Sequence, residues 1–370
     1  MNFVFMEAIH FFDTVPDFRL NRKKLHKLSD ILMIALCAMI SGSNDFEEIA
    51  LYGQQKEQFL RTFLELKNGI PSHDTFTRVF SHLDKKAFGE CLYRWSSELL
   101  DFFDFHQINI DGKVIRATGK KGKKNSGICV VSAWVSGQKL VLGEEKVSKK
   151  SSEKTAIPEL LRGLNLENAI VSIDAIATEK KNASLIVEKG GSYLLALKKN
   201  NKLSFEQVEK WFKNPNNCLN KSETEEKNGG RIEKRTCYVS PVHPLLDKLE
   251  GWAELKNIIR IDSNVTKNSV TTYETRYYLS NQIYNAEVFN QIVRNHWSIE
   301  NSLHWQLDVT FNEDRARNIT ANAPENLSTL RKLALQLLNR VEDNNSLKNR
   351  RKKAGWNNDY LIEILQKLRI

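Results

Sequence analysis

The chain is poor in cysteine. Five stand at positions 37, 91, 129, 218 and 237, an odd number with no two close together and no Cys-x-x-Cys pair. That pattern argues against a disulfide framework and against a cysteine-based zinc site, and fits reduced thiols in a cytoplasmic protein. Long apolar runs are missing too. The longest, Ile31 to Ile40 (ILMIALCAMI), is about half of what crosses a bilayer, so it predicts a buried helix and no membrane partner. The opening residues, MNFVFMEAIHFF, hold Glu7 and no basic stretch ahead of the apolar ones, so no signal peptide is expected. There is no internal repeat and no long low-complexity tract.

What is present is charge and enough apolar mass for a core. The 370 residues suffice for two or three domains, and 41% are hydrophobic. Wholesale disorder is therefore excluded. The formal net charge is +10, which favours a polyanionic partner such as nucleic acid.

Residues 1–105 read as all-helical. Helices are expected from near Ser29 to Ile40, through DFEEIALYGQQKEQFLRTFLEL, after a cap at Ser72 with Phe76, Val79, Phe80 and Leu83 on one face, and through KKAFGECLYRWSSELLDFF. At residue 107 the texture changes. QINIDG is a short strand ending on Asp111, and GICVVSAWVSGQKLVLGEEKV is a hairpin turning at Ser136-Gly137-Gln138. EKTAIPELLRGL is a helix, AIVSIDA a strand ending on Asp174, ATEKKNASLIVEKG a helix closed by Gly190-Gly191, and SYLLALK a strand. Three strands, helix, strand, helix, strand is the element order of an α/β, ribonuclease-H-like core, an antiparallel meander followed by parallel crossovers. Residues 200–285 form a β-rich insertion with three expected strands, after an exposed polar loop at NPNNCLNKSETEEKNGG. Helices return up to residue 340, and a basic helical tail occupies 341–370.

Asp111 and Asp174 both follow apolar strand residues. Carboxylates at neighbouring strand ends repel unless a cation lies between them, and such hard oxygen ligands suit Mg²⁺ or Mn²⁺. The competing reading is turn chemistry at Asp111-Gly112. In RNHWSIENSLHWQLDV, His296, Glu300, His304 and Asp308 recur every fourth residue, which on an α-helix makes one slowly drifting stripe. Trp297, Leu303 and Leu307 fall elsewhere and can pack inward. The spacing is not the HExxH of zinc hydrolases. Glu300 serves better as a third carboxylate for the Asp111/Asp174 pair.

Taken with NGIPSHDTFTRVFSHLD, INIDGKVIRAT, VVSAWVS, KSSEKTAIPELL, VSIDA, YLLALKKNNKL, GGRIEKR and RNHWSIENSLHWQLDVTFNEDRARN, in that order, the chain resembles the DDE transposases of bacterial insertion sequences, of the H-repeat-associated type. The resemblance runs from about residue 12 to 340. It implies Asp111 as first acid, Asp174 as second and Glu300 as third, lying 63 and 126 residues apart (174 − 111 and 300 − 174) with the insertion in the second gap. A larger related group carries Tyr-x2-Arg-x3-Glu-x6-Lys around the third acid. Here Val293, His296, Glu300 and Leu307 stand in those places, so only the Glu is shared. After the second acid this chain reads DAIATEK where relatives commonly read like DAMGCQ.

The resemblance further implies two Mg²⁺ ions, replaceable by Mn²⁺, with Asp111 bridging them and Asp174 and Glu300 on one each. Hydrolysis would free a 3′-OH at the element end, and that 3′-OH would then attack target DNA. His296, His304 and Asp308 are candidates for the surrounding shell. Double-stranded DNA is the expected partner, with pairing of two ends calling for a homodimer on DNA and nucleoid association in the cytoplasm. Arg116, Lys120, Lys121, Lys123 and Lys124 after the first acid, Lys198, Lys199 and Lys202 after the last core strand, and Arg315 and Arg317 after the third-acid helix are expected on the phosphate backbone. Arg78 on the Ser72 helix is the candidate for reading element ends. A domesticated DNA-binding protein with an unused site, or a two-metal nuclease without strand transfer, are the alternatives.

Overall fold

The computed structural model describes residues 10–100, 106–119, 127–147 and 153–368. Its N-terminal part is helical: α1 (Leu28–Ile40), α2 (Phe46–Gln55), the single turn α3 (Glu57–Leu60), α4 (His73–His82) and α5 (Lys85–Leu100). Every residue of α1 is buried, as its unbroken apolar run requires. The ends are set by local chemistry. The Asp45 side chain accepts from the Glu48 amide to cap α2, and Ser72 accepts from Thr75 to cap α4.

Among the described residues nine strands form one sheet: β1 (His106–Ile115), β2 (Ile128–Val135), β3 (Leu140–Lys146), β4 (Ala169–Ile173), β5 (Ser192–Leu197), β6 (Asn220–Asn228), β7 (Arg231–Pro241), β8 (Asn257–Lys267) and β9 (Val270–Ser280). Their order is β3-β2-β1-β4-β5-β9-β8-β7-β6. The β1–β4 and β4–β5 pairs are parallel, and the others are antiparallel. Helix α6 (Glu153–Gly163) leads into β4, and α7 (Lys180–Glu188) joins β4 to β5. Gly190 closes α7 at φ +73, a left-handed value that favours glycine. After α8 (Lys202–Trp211), the insertion docks as four strands on the sheet edge, β9 pairing with β5 from Leu194↔Ser280 to Leu197↔Tyr277.

Two sequence expectations change here. The polar stretch read as an exposed loop contains β6, whose alternating Lys and Glu side chains still leave the backbone free to pair with β7 from Asn220↔Val239 to Asn228↔Arg231. It is the outermost strand, and its charges suit an uncovered edge. Strand β1 also does not stop at Asp111. It runs on to Ile115 because β2 continues to pair with it, Asp111↔Ser132 and Gly112↔Val131. The Asp-Gly turn is thereby excluded.

One sheet face packs under α9 (Ala286–His296), with Ile170, Leu194, Ala196, Ile259 and Ile261 meeting Phe289, Ile292 and Val293. A larger apolar cluster joins α1, α2, α4 and α5 to the β1–β5 strands and to α10 (Ala323–Asn339), α11 (Leu347–Trp356) and α12 (Asn358–Leu365). No helix among the described residues is long and apolar enough to cross a membrane.

Candidate active site

The parallel β1–β4 register ends at Ile110↔Ile173. Asp111 and Asp174 are the next residue of each chain segment, so the two acids follow the last parallel pair, Asp111 still inside β1 against β2 and Asp174 just past the end of β4. The third acid comes from the chain that continues α9. Past His296 it makes π-type turns at Glu300–His304 and Gln306–Thr310. In an α-helix every fourth residue overshoots a full turn by roughly 40°. A π turn, closed by i→i+5 bonds, holds more residues and undershoots. With Glu300–His304 and Gln306–Thr310 both in π turns, the stripe does not follow the drift of a plain α-helix.

The segment runs along β1. Alternate positions of β1, which share one face of the sheet, meet the segment in chain order. Gln107 Nε2 donates to the Ile292 carbonyl at 2.9 Å, and Asn109 Nδ2 to the Asn295 carbonyl at 3.2 Å. Asp111 faces His304, Nδ1 to Oδ2 3.6 Å, and Lys113 Nζ donates to Asp308 at 2.6 Å. Underneath, Ser172 Oγ donates to Asn109 Oδ1 at 2.7 Å and contacts His296 Nδ1 at 2.9 Å. This buried polar network fixes the third-acid segment against the sheet.

Asp111, Glu300 and His304 each offer a ligand atom, all within 4.8 Å of one another. Glu300 is about half exposed, while His304 is buried. Burial, then the charge of Glu300, pushes the Asp111 carboxyl well above its ordinary range. Its contact with His304 outweighs burial and holds Glu300 below its own. Two carboxylates in this relation share one negative charge poorly, and a divalent cation removes the conflict. The donor set fits such an ion. Asp174 stands apart from this trio and is held by Lys198 Nζ at 3.1 and 3.3 Å. Burial pushes Asp174 up, but the Ala175 amide and Lys198 outweigh it, so it stays ionised.

The remaining sequence candidates divide clearly. His296 is buried with its Nδ1 at Ser172, and burial lowers it to about 4, so it is neutral near pH 7 and packs the segment. Asp308 is bound to Lys113. Arg78, Arg116, Lys198, Lys199, Lys202, Arg315 and Arg317 are all exposed, and Lys198 already has Asp174 as a partner. Lys120, Lys121, Lys123 and Lys124 lie outside the described residues.

Several residues escaped the sequence reading. Lys113 also binds the buried Glu313, which faces Arg331 at 3.9 Å. Glu153, at the start of α6, lies 3.6 Å from Cys129 Sγ and adds its charge to the field at Asp111. The available signal for Lys113 was its position two residues beyond Asp111, on the same strand face.

Asp111 and Asp174 thus lie beside each other past the parallel β1–β4 pairing, and Glu300, from beyond the insertion, meets Asp111. A transposase DDE domain model matches residues 107–337, and a model for its associated N-terminal region matches 9–96. The chain belongs to the DDE transposase family. It is 38% identical over 367 residues to the Escherichia coli O157:H7 protein named "Putative transposase YncI", covering 96% of this chain and 94% of that one. It is 36% identical over 362 residues to "H repeat-associated putative transposase YhhI" of Escherichia coli K12, covering 95% of each. A shorter Escherichia coli K12 relative, "Inactive transposase YbfQ", is 47% identical over 66 residues, 18% of this chain and 79% of that one.

Proposed function

We propose that this protein is an active, divalent-metal-dependent transposase that cuts the ends of an insertion sequence and joins a freed 3′-OH to target DNA. The observation that carries the reading is the meeting of Glu300 with Asp111, next to Asp174 across the β1–β4 register. The strand order β3-β2-β1-β4-β5, with parallel β1–β4–β5, supports a ribonuclease-H-like core bearing a β-rich insertion.

Asp111, Asp174 and Glu300 would hold two Mg²⁺ ions. Bound there, they would make water a nucleophile at neutral pH and offset charge on the departing oxygen. The protein's own contribution is placement. The β1 and β4 register fixes the two aspartates, the Gln107–Asn109–Ser172–His296 network fixes the segment carrying Glu300, and Lys113 anchors that segment through Asp308. The exposed Arg116, Lys199, Lys202, Arg315 and Arg317 would neutralise backbone phosphates. Lys198, which holds Asp174 here, would be a further phosphate contact beside the site. DNA is the substrate, and two paired ends call for a dimer of the chain on DNA.

The test is cleavage and joining of duplex DNA carrying the element's ends, with Mg²⁺ or Mn²⁺. Asp111→Asn, Asp174→Asn and Glu300→Gln should each reduce both steps to background while leaving DNA binding intact. Salt-sensitive DNA binding with no metal-dependent cutting by the unaltered chain would overturn the reading in favour of a DNA-binding role.

A further inference from the structure

We propose that His304 is a direct metal ligand, completing with Asp111 and Glu300 a mixed nitrogen–oxygen site that takes Mn²⁺ or a similar transition ion in preference to Mg²⁺. The inference rests on the metal-dependent reading of the same site and goes beyond its three carboxylates.

The distances carry it first. His304 Nδ1 lies 3.5 Å from Glu300 Oε2 and 3.6 Å from Asp111 Oδ2. Those are too long for good hydrogen bonds. They are close to what ligand atoms keep around a shared ion, ~3.0–3.4 Å when each bond is about 2.1 Å. The π turn Glu300–His304 sets the two side chains nearly above one another, so both reach the same point opposite Asp111.

The far side of the ring is the second, independent observation. The His304 side chain is only 7% exposed, and its Nε2 is buried without a hydrogen-bond partner. The ring lines a cavity of about 10 Å³ together with Lys113, Ser132, Glu313 and Ser328. Metal-binding histidines usually donate their other N–H to a carboxylate or to a water, and this cavity is lined by the Glu313 carboxylate. With a cation at the carboxylates, the proton belongs on Nε2 and the Nδ1 lone pair faces the ion. His296 makes the contrast. Its Nδ1 is already engaged by Ser172 at 2.9 Å, so it is spoken for as a packing group.

The chemical consequence is selectivity. Mg²⁺ is a hard ion that keeps oxygen ligands and waters, whereas imidazole suits transition ions. A nitrogen at this position should therefore shift the balance from Mg²⁺ toward Mn²⁺.

The experiment is pulsed electron spin-echo spectroscopy of the full-length chain loaded with Mn²⁺, at natural abundance and with ¹⁵N in histidine only. The expected result is nitrogen modulation that changes with the ¹⁵N label, survives in His296→Gln and vanishes in His304→Gln while Mn²⁺ stays bound. The ratio of Mn²⁺ to Mg²⁺ affinity should fall in His304→Gln. Should that variant not fold, the labelled unaltered chain and His296→Gln still decide. Bound Mn²⁺ with no histidine nitrogen, or a signal lost in His296→Gln and kept in His304→Gln, overturns the assignment and leaves the carboxylate site standing. Failure to bind Mn²⁺ at all overturns both.

Discussion

At the scale of single residues, the site is held by buried charges. Lys113 is 11% exposed and sits between Asp308 and the fully buried Glu313. Burial pushes Glu313 up, but Lys113, Arg331 and Lys332 outweigh it and bring it to about 2. Lys113→Met would leave both acids without their partner. The expected loss is about 3–5 kcal/mol of stability in urea unfolding, and a loss under 1 kcal/mol would contradict the anchoring role. His296 makes a pH prediction. Its folded value of about 4 lies below the ordinary 6.5, so the neutral ring contributes stability at pH above 6.5. That contribution is lost as the pH falls toward 4, about 3 kcal/mol in all. Melting temperatures should fall across this window, and His296→Gln should flatten that part of the profile. The stripe of four ionisable residues was legible because helical spacing puts them on one face. Lys113 was not, since one lysine among many looks like solvated surface until its neighbours across the sheet are known.

At the scale of elements, the strands other than β6 were readable along the chain from periodicity, because half-buried and buried strands impose distinct apolar patterns. The strand within the polar stretch before Gly229-Gly230 was not readable. An edge strand needs only backbone partners, so β6 carries no apolar signature. The π turns were equally hidden, since their cause is the fit of the segment against β1 and not local propensity. The C-terminal helices looked like a basic tail, yet Arg351 of α11 is buried. Its guanidinium donates to the carbonyls of Met39, at 3.1 and 2.9 Å, and of Ser43 at 2.9 Å, and also contacts the Thr310 carbonyl. It thereby satisfies open carbonyls at the end of α1 and ties them to the end of the third-acid segment. Arg351→Met should cost roughly 3 kcal/mol. Hydrogen exchange should quicken around residues 39–43 and 306–310 together. Faster exchange at only one of the two places would mean that the link is not mechanical.

At the scale of the whole molecule, a net charge of +10 and the exposed Arg116, Lys199, Lys202, Arg315 and Arg317 predict DNA binding governed by counterion release. Replacing Arg315 or Arg317 by Ala should lower the slope of log affinity against log salt by about 0.9 each if each meets one phosphate. An unchanged slope would remove that residue from the interface. The insertion lengthens the chain between Asp174 and Glu300 while Glu300 still meets Asp111, because β9 extends the core sheet from its free β5 edge. The most direct test of the central claim is anomalous diffraction from crystals of the full chain soaked in Mn²⁺. The account predicts manganese peaks within bonding distance of Asp111, Asp174 and Glu300. Manganese bound elsewhere, with Glu300 turned from Asp111 and Asp174 still paired to Lys198, would contradict it.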